Sequence, residues 1–227
     1  MKRYLTNNGL LDSFASEQTK EVLASLGDIT FAQAFDDGLL SQIPILGTAL
    51  QVYGAAHTFQ EHFAVAKLAA FLEKGQGVNQ EEKEKFLAQL GDPKKADDLA
   101  IRLLVLVQKA EDLDKPKIYG NLFEACIKEY FDTETLTRLC KMVDRAFFED
   151  FEYLKNLHHG EHQRRNQDIE QSLNAAGFLR QVGADEGVMG GEEGHIKFEV
   201  NSYGKWLIEL GLSEGPIPDP ETPNTLP

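Results

Sequence analysis

A gap in charge is the strongest constraint on how this chain can fold. From Gly38 to Gln60 there is no Asp, Glu, Lys or Arg, although the whole chain carries a formal net charge of -14. Ser41, Gln42, Thr48, Gln51, His57, Thr58 and Gln60 make the stretch too polar for a bilayer core, which wants about 20 mostly apolar residues. It therefore reads as helix buried in protein, and the small residues Gly47, Ala49, Gly54, Ala55 and Ala56 would let a neighbouring helix come close. Pro44 fits the first turn of that helix. After a break near His57–Thr58, Val65, Leu68, Ala69 and Leu72 continue a helical apolar face to the glycines Gly75 and Gly77.

The rest of the first 160 residues is helical by the same spacing. Residues 1–15 show no sustained period and read as a flexible arm, which Leu10, Leu11 and Phe14 could dock on the core. Val22, Leu23 and Leu26 mark a helix begun by Ser16–Glu17 and stopped by Gly27; Asp28 or Thr30 caps a second one, Phe31 to Leu40. Asn79 followed by Glu81 and Glu82 caps a helix ending at Gly91, and Pro93 opens the next. The centre of that next helix, Leu99 to Val107, is apolar on nearly every face, which predicts a place in the middle of a bundle with Arg102 either surfacing or partnered. Asp114–Lys115–Pro116 opens a helix carrying Ile118, Leu122, Phe123 and Tyr130. Asp132 caps the longest pattern, with Leu136, Leu139, Cys140, Val143, Phe147, Phe151 and Leu154 on one stripe up to Gly160.

Beyond Gly160 the pattern changes. A polar linker precedes a helix capped by Asp168, then a strand over 178–182, a glycine-rich acidic loop, a strand over 195–200, and a last helix from Asn201 or Ser202 to Leu210. Five prolines between Pro216 and Pro227 predict a disordered tail over 213–227. The expected architecture is mainly α: an arm, a helical bundle over 16–160, a small α+β unit over 161–212, and the tail.

In that α+β unit the succession of helix, "AAGFL", strand, loop, strand and "NSYGKWLIEL" resembles the second half of a winged-helix domain. The resemblance implies a recognition helix, a wing, and a Ser/Thr-x-x-Gly turn opening the closing helix. This wing carries Asp185, Glu186, Glu192 and Glu193, and residues 161–211 hold five basic side chains against nine acidic ones, so phosphates would be repelled. Winged helices without DNA affinity commonly dock proteins, which makes those four acids the candidate partner-binding residues. Residues 59–157, with the turn "VNQEEKEKF" starting a helix after a break, also resemble the helical domains related to tellurite-resistance B proteins, whose acidic metal-binding motif is not evident here.

Other candidates are fewer. His158, His159, Glu161 and His162 form the densest group of potential metal ligands, and His158 with His162 would lie one turn apart if Gly160 did not intervene. A helix C-terminus favours histidine for its dipole alone. His57 and His62 share no helical face. The loop holding the glycines Gly187, Gly190, Gly191 and Gly194 is acidic and leads into a strand, unlike a phosphate cradle, which meets a helix N-terminus and usually a lysine. Asp144, Glu149, Asp150 and Glu152 read as a solvated face. Cys126 and Cys140 lack metal or redox spacing and read as reduced, buried residues; with no signal-peptide run at the N-terminus, the expected compartment is the cytoplasm.

The excess of Asp+Glu, 37 against 23 Lys+Arg, disfavours sequence-wide attraction to nucleic acid. The expectation is a non-enzymatic regulatory protein of bacterial or phage origin that binds another protein and needs no cofactor. The alternatives are a DNA-binding regulator using Arg164, Arg165 and Arg180, a membrane-acting effector inserting residues 38–72, and a metal hydrolase at the histidine cluster.

Overall fold

The computed structural model describes residues 7–25, 38–47, 59–161, 165–184 and 196–220. It is mainly helical with one small antiparallel sheet. In chain order the helices are α1 (Asn7–Phe14), α2 (Glu17–Ser25), α3 (Phe59–Glu73), α4 (Gln80–Leu90), α5 (Pro93–Lys109), α6 (Asp114–Ile127), α7 (Thr133–Arg145), α8 (Asp150–His159) and α9 (Gln167–Ala176). Strands β1 (Leu179–Ala184) and β2 (Ile196–Val200) follow, then α10 (Ser202–Trp206), which continues as a π-helical turn over Leu207–Gly211.

Everything is assembled around α6. From Ile118 to Lys128 every residue of this segment is buried, including Asn121, Glu124 and Lys128. Gly120 explains how it is reached: a Cβ there would collide with the Phe71 carbonyl of α3, so the two helices meet at a contact only glycine permits. On the same side Phe14, Phe71 and Phe123 form an aromatic knot with centroids 4.8 to 6.0 Å apart, extended by Phe86. Helix α6 has no side-chain cap at its N-cap residue, but Asp112 serves, accepting from the Asp114 and Lys115 amides at 2.9 and 2.8 Å.

Several expectations need correction. The arm is, over residues 7–14, a helix whose Leu10, Leu11 and Phe14 lie in the core, because the knot around Phe123 needs a third ring. Within the charge gap, Leu40, Ile43, Ile45 and Leu46 are buried as their apolarity demands. Gly38 adopts φ 69° and a 3-10 turn covers Leu39–Gln42, where the end of a helix was expected, while Pro44 does open a new helical turn. Residues 26–37 and 48–58, with the helix expected from Phe31 and the break at His57–Thr58, lie outside the described residues.

Helix α5 is not central. It buries Leu99, Leu103, Leu106 and Val107, while Ile101 and Val105 are each 44% exposed and Arg102 reaches the surface. The long helix expected over 132–160 breaks at Ala146, whose backbone is extended. Phe147 is left 67% exposed, and the turn re-aims Phe151 edge-on to Phe178 at 5.9 Å.

The last part packs on the same core. Trp206 lies against Phe131 at 5.5 Å, and Asn121 of α6 donates to the carbonyls of Gly211 and Ser213 at 2.9 and 2.8 Å. Strands β1 and β2 pair antiparallel from Leu179↔Val200 to Ala184↔Ile196, with an irregularity between Gln181 and Gly183. Asn166, rather than Asp168, caps α9. In the "NSYG" phrase Asn201 caps α10 by accepting from the Gly204 amide at 3.0 Å and also donates to the Gly177 carbonyl at 2.7 Å. A Cβ on Gly204 would stand 2.5 Å from the Phe178 carbonyl, which is why the turn closes on glycine.

The expected disordered tail is corrected as far as residue 220. Residues 213–219 lie over α6 as a strap, with Ile217 buried, its amide donating to Glu124 Oε1 at 3.1 Å and its carbonyl accepting from Lys128 Nζ at 2.5 Å. Proline suits such a strap because it gives up no amide that α6 uses.

Candidate functional site: a basic groove

Along one side of the molecule α5 and α7 leave an open groove of about 760 Å³. Lys95, Asp98, Leu99 and Arg102 recur at helical spacing on α5. From α7 come Glu134, Thr137, Arg138, Lys141, Met142 and Arg145, while Ala175–Gly177 and Tyr203 supply the remaining wall. The floor is apolar, made by Leu90, Leu99, Met142 and Ala176. Both helices reach it because each is amphipathic: Asp92 with Pro93 fixes the start of α5, and Asp132 accepts from the Thr135 amide at 2.8 Å to fix the start of α7.

The electrostatics of this groove invert those of the chain. Five basic side chains line it against two acidic ones, where the whole sequence has 23 basic against 37 acidic. All five are exposed, and none forms an ion pair among the described residues. Only Arg138 has an aromatic neighbour, its guanidinium 5.8 Å from the Tyr203 ring centroid. Unpaired cations side by side repel one another, so the arrangement favours an incoming anion.

Elsewhere, cations considered for a partner are already engaged within the chain. Arg165 is bidentate to buried Glu170, at 2.9 Å from Nε to Oε1 and 2.6 Å from Nη2 to Oε2, and Tyr153 donates to the same carboxylate at 2.6 Å. Burial, followed by that hydrogen bond, pushes the Tyr153 hydroxyl above its ordinary range. Arg180 pairs across the sheet with Glu199 at 3.2 Å. Two of the three arginines considered for phosphates are thus already on carboxylates, and Arg164 lies outside the described residues. Lys67 is buried and donates to the carbonyls of Gln108 and Ala110 at the end of α5; desolvation lowers its pKa, opposed by Asp112.

Beneath the strap, Lys128 stands 3.5 Å from Glu124 and 3.0 Å from Asp219, with Glu82 at 4.0 Å. Burial raises the Glu124 carboxyl to about 7 against the opposing pull of Lys128 and the Ile217 amide. Its Oε2 has no hydrogen-bond partner among the described residues. This pair holds the strap and lines neither the groove nor the hollow adjoining it.

Of the remaining sequence candidates, His158 faces Glu209 at 3.8 Å and its ring lies against that of His159. His162 is outside the described residues, among which no group of three or more potential ligands gathers. The acids Asp185, Glu186, Glu192 and Glu193 also fall outside them. Cys126 and Cys140 are free and buried, and burial pushes both thiols up. No helix among the described residues is long and apolar enough to cross a membrane. Sequence reading missed the groove because its cations come from two helices separated by α6, where each alone looks like a solvated face; the i, i+3, i+7 series Arg138, Lys141, Arg145 was the available signal.

The described residues form a mainly helical protein with a two-stranded antiparallel sheet and a basic groove. The chain matches no known family, no curated protein and no solved structure.

Proposed function

We propose that this is a non-enzymatic regulatory protein that binds an acidic segment of another protein in the groove between α5 and α7. The supporting observation is the set of five exposed cations, without an ion pair among the described residues, over an apolar floor in a chain of net charge -14. An acidic segment is favoured over nucleic acid for two reasons. A long polyanion feels the whole negative chain, and Asp98 and Glu134 interrupt any continuous phosphate track. The apolar floor asks for side chains that a phosphate backbone does not offer, and a segment laid between two helices is a common recognition mode.

The helix–strand–strand–helix order after residue 165 supports a winged-helix-like reading of this end, in its protein-docking form. Free buried cysteines fit the reducing cytoplasm of a bacterial or phage-infected cell. The test is affinity purification with the wild-type protein and the charge-reversed variant K141E/R145E, beside a single-stranded oligonucleotide assay at the same salt. The expected result is a stoichiometric partner retained by the wild type and lost from the variant, with no oligonucleotide binding. A partner set indifferent to the reversal, or oligonucleotide binding that the reversal abolishes, would refute it.

A further inference from the structure

A second hollow of about 340 Å³ adjoins the groove, and the two share Leu90 and Thr133. Phe86, Cys126 and Phe131, all buried, make the walls of the hollow. The acids on its rim are already committed: Glu129 accepts from Lys85 at 2.8 Å and from Gln89, and Asp132 caps α7. What the hollow offers a visitor is therefore its apolar interior, with room for one large side chain.

Charge is graded along α7 in the opposite sense. Asp132 and Glu134 stand at its start, near the hollow, and Arg138, Lys141 and Arg145 follow toward its end. At 1.5 Å per residue the basic end lies on the order of 15 Å from the hollow. A purely basic groove would accept any polyanion in either direction. A basic end and an apolar end, on one continuous surface, select both the composition and the direction of what binds.

We propose that groove and hollow together take one amphipathic segment of the partner protein, its carboxylates along Arg138 to Arg145 and one bulky apolar side chain seated between Phe86 and Phe131. This rests on the reading of the groove as the site of an acidic segment, and adds an anchor and an orientation. The anchor supplies the desolvated contact from which most binding energy comes, while the carboxylates supply attraction and direction. The distance fixes the spacing: roughly ten residues between anchor and acids if the segment is helical, roughly five if it is extended. Nucleic acid fits poorly, since its phosphates would have to pass Glu129, Asp132 and Glu134 to reach the hollow.

Selection of displayed random peptides about 16 residues long, enough to span the surface as a helix, tests this on the full-length protein, with K141E/R145E as the counter-selection. The expected winners carry an Asp/Glu cluster and, always on the same side and at one spacing, Phe, Leu, Met or Trp. Changing that residue to Ala should weaken binding about tenfold or more. Gln89→Trp, at an exposed residue that lines the hollow and not the groove, should remove the anchor's gain and leave the affinity of the Ala-substituted peptide unchanged. Winners that are acidic with no apolar residue at a fixed place would overturn the anchor while leaving the groove reading intact. A selection with no winner sensitive to K141E/R145E would overturn both.

Discussion

Helices α5 and α6 are consecutive in the chain and treat their charged residues in opposite ways. By composition α5 is the more apolar at its centre, yet it lies at the edge, exposing Ile101 and Val105 and leaving Lys95 and Arg102 unpaired at a groove. Helix α6 carries Asn121 and Glu124, with Lys128 at its C-cap, in the middle of the molecule, and the strap over residues 213–219 meets each of them with a hydrogen bond or an ion pair. Charge that the fold satisfies internally is structural. Charge left over a floor of apolar side chains is what remains for a partner. Placement follows the ability to be approached: Gly120 admits α3 on one face and the strap covers another, whereas α5 has no equivalent of either.

The sharpest way to break this contrast is Lys128→Met, which leaves Glu124 buried without its cation. Above pH 7 urea denaturation should show a loss of about 3–5 kcal/mol, much smaller in E124Q/K128M; an unchanged midpoint would mean the pair is not structural. Gly120→Val forces α3 away from α6 and should cost about 2–3 kcal/mol by thermal unfolding. Ile101→Val, at an exposed site of α5, should be nearly silent.

A third effect is set by Glu124 alone. Burial raises its folded pKa from 4.5 to about 7, so the folded state holds the proton more tightly than the unfolded chain. The stabilisation is fully present below pH 4.5 and is lost as pH rises through 7. The loss across that window should be on the order of 2 kcal/mol, with the strap exchanging its amides faster at the alkaline end. E124Q should flatten the profile between those limits, and a wild-type profile already flat there would contradict the assignment. Asp132→Ala, which removes the cap of α7, should cost about 1 kcal/mol. Smallest of all, K141E/R145E should change stability by about 0.5 kcal/mol or less, because neither cation forms an ion pair among the described residues and only Arg145 meets the end of its helix.

Much of the fold was legible from the residues. The capping residues Asn79 and Asp132, the proline that opens α5, and the glycines Gly91, Gly160 and Gly177 in left-handed C-caps act locally, so a local pattern reveals them. What was not legible depends on distant partners. Phe14 looks like part of a loose arm until Phe71 and Phe123 stand beside it, and a proline-rich tail looks disordered until Glu124 and Lys128 are found beneath it. Apolar spacing runs from Leu136 to Leu154 without a break, yet the chain turns at Ala146, and the helix after the turn brings Phe151 against Phe178, a contact that the local pattern cannot show. The groove was hidden for the same reason, its two basic helices being separated in sequence by the segment that fills the core.

The central claim is that the unpaired cations of α5 and α7 belong to a partner. It is tested most directly by measuring, by fluorescence anisotropy across a salt series, how tightly the best selected peptide binds the wild type and K141E/R145E, with thermal unfolding of both proteins alongside. The account predicts equal unfolding temperatures, affinity for the wild type that falls steeply as salt rises, and binding to the variant that is weak at every salt. Equal affinity and equal salt dependence for the two proteins would contradict it.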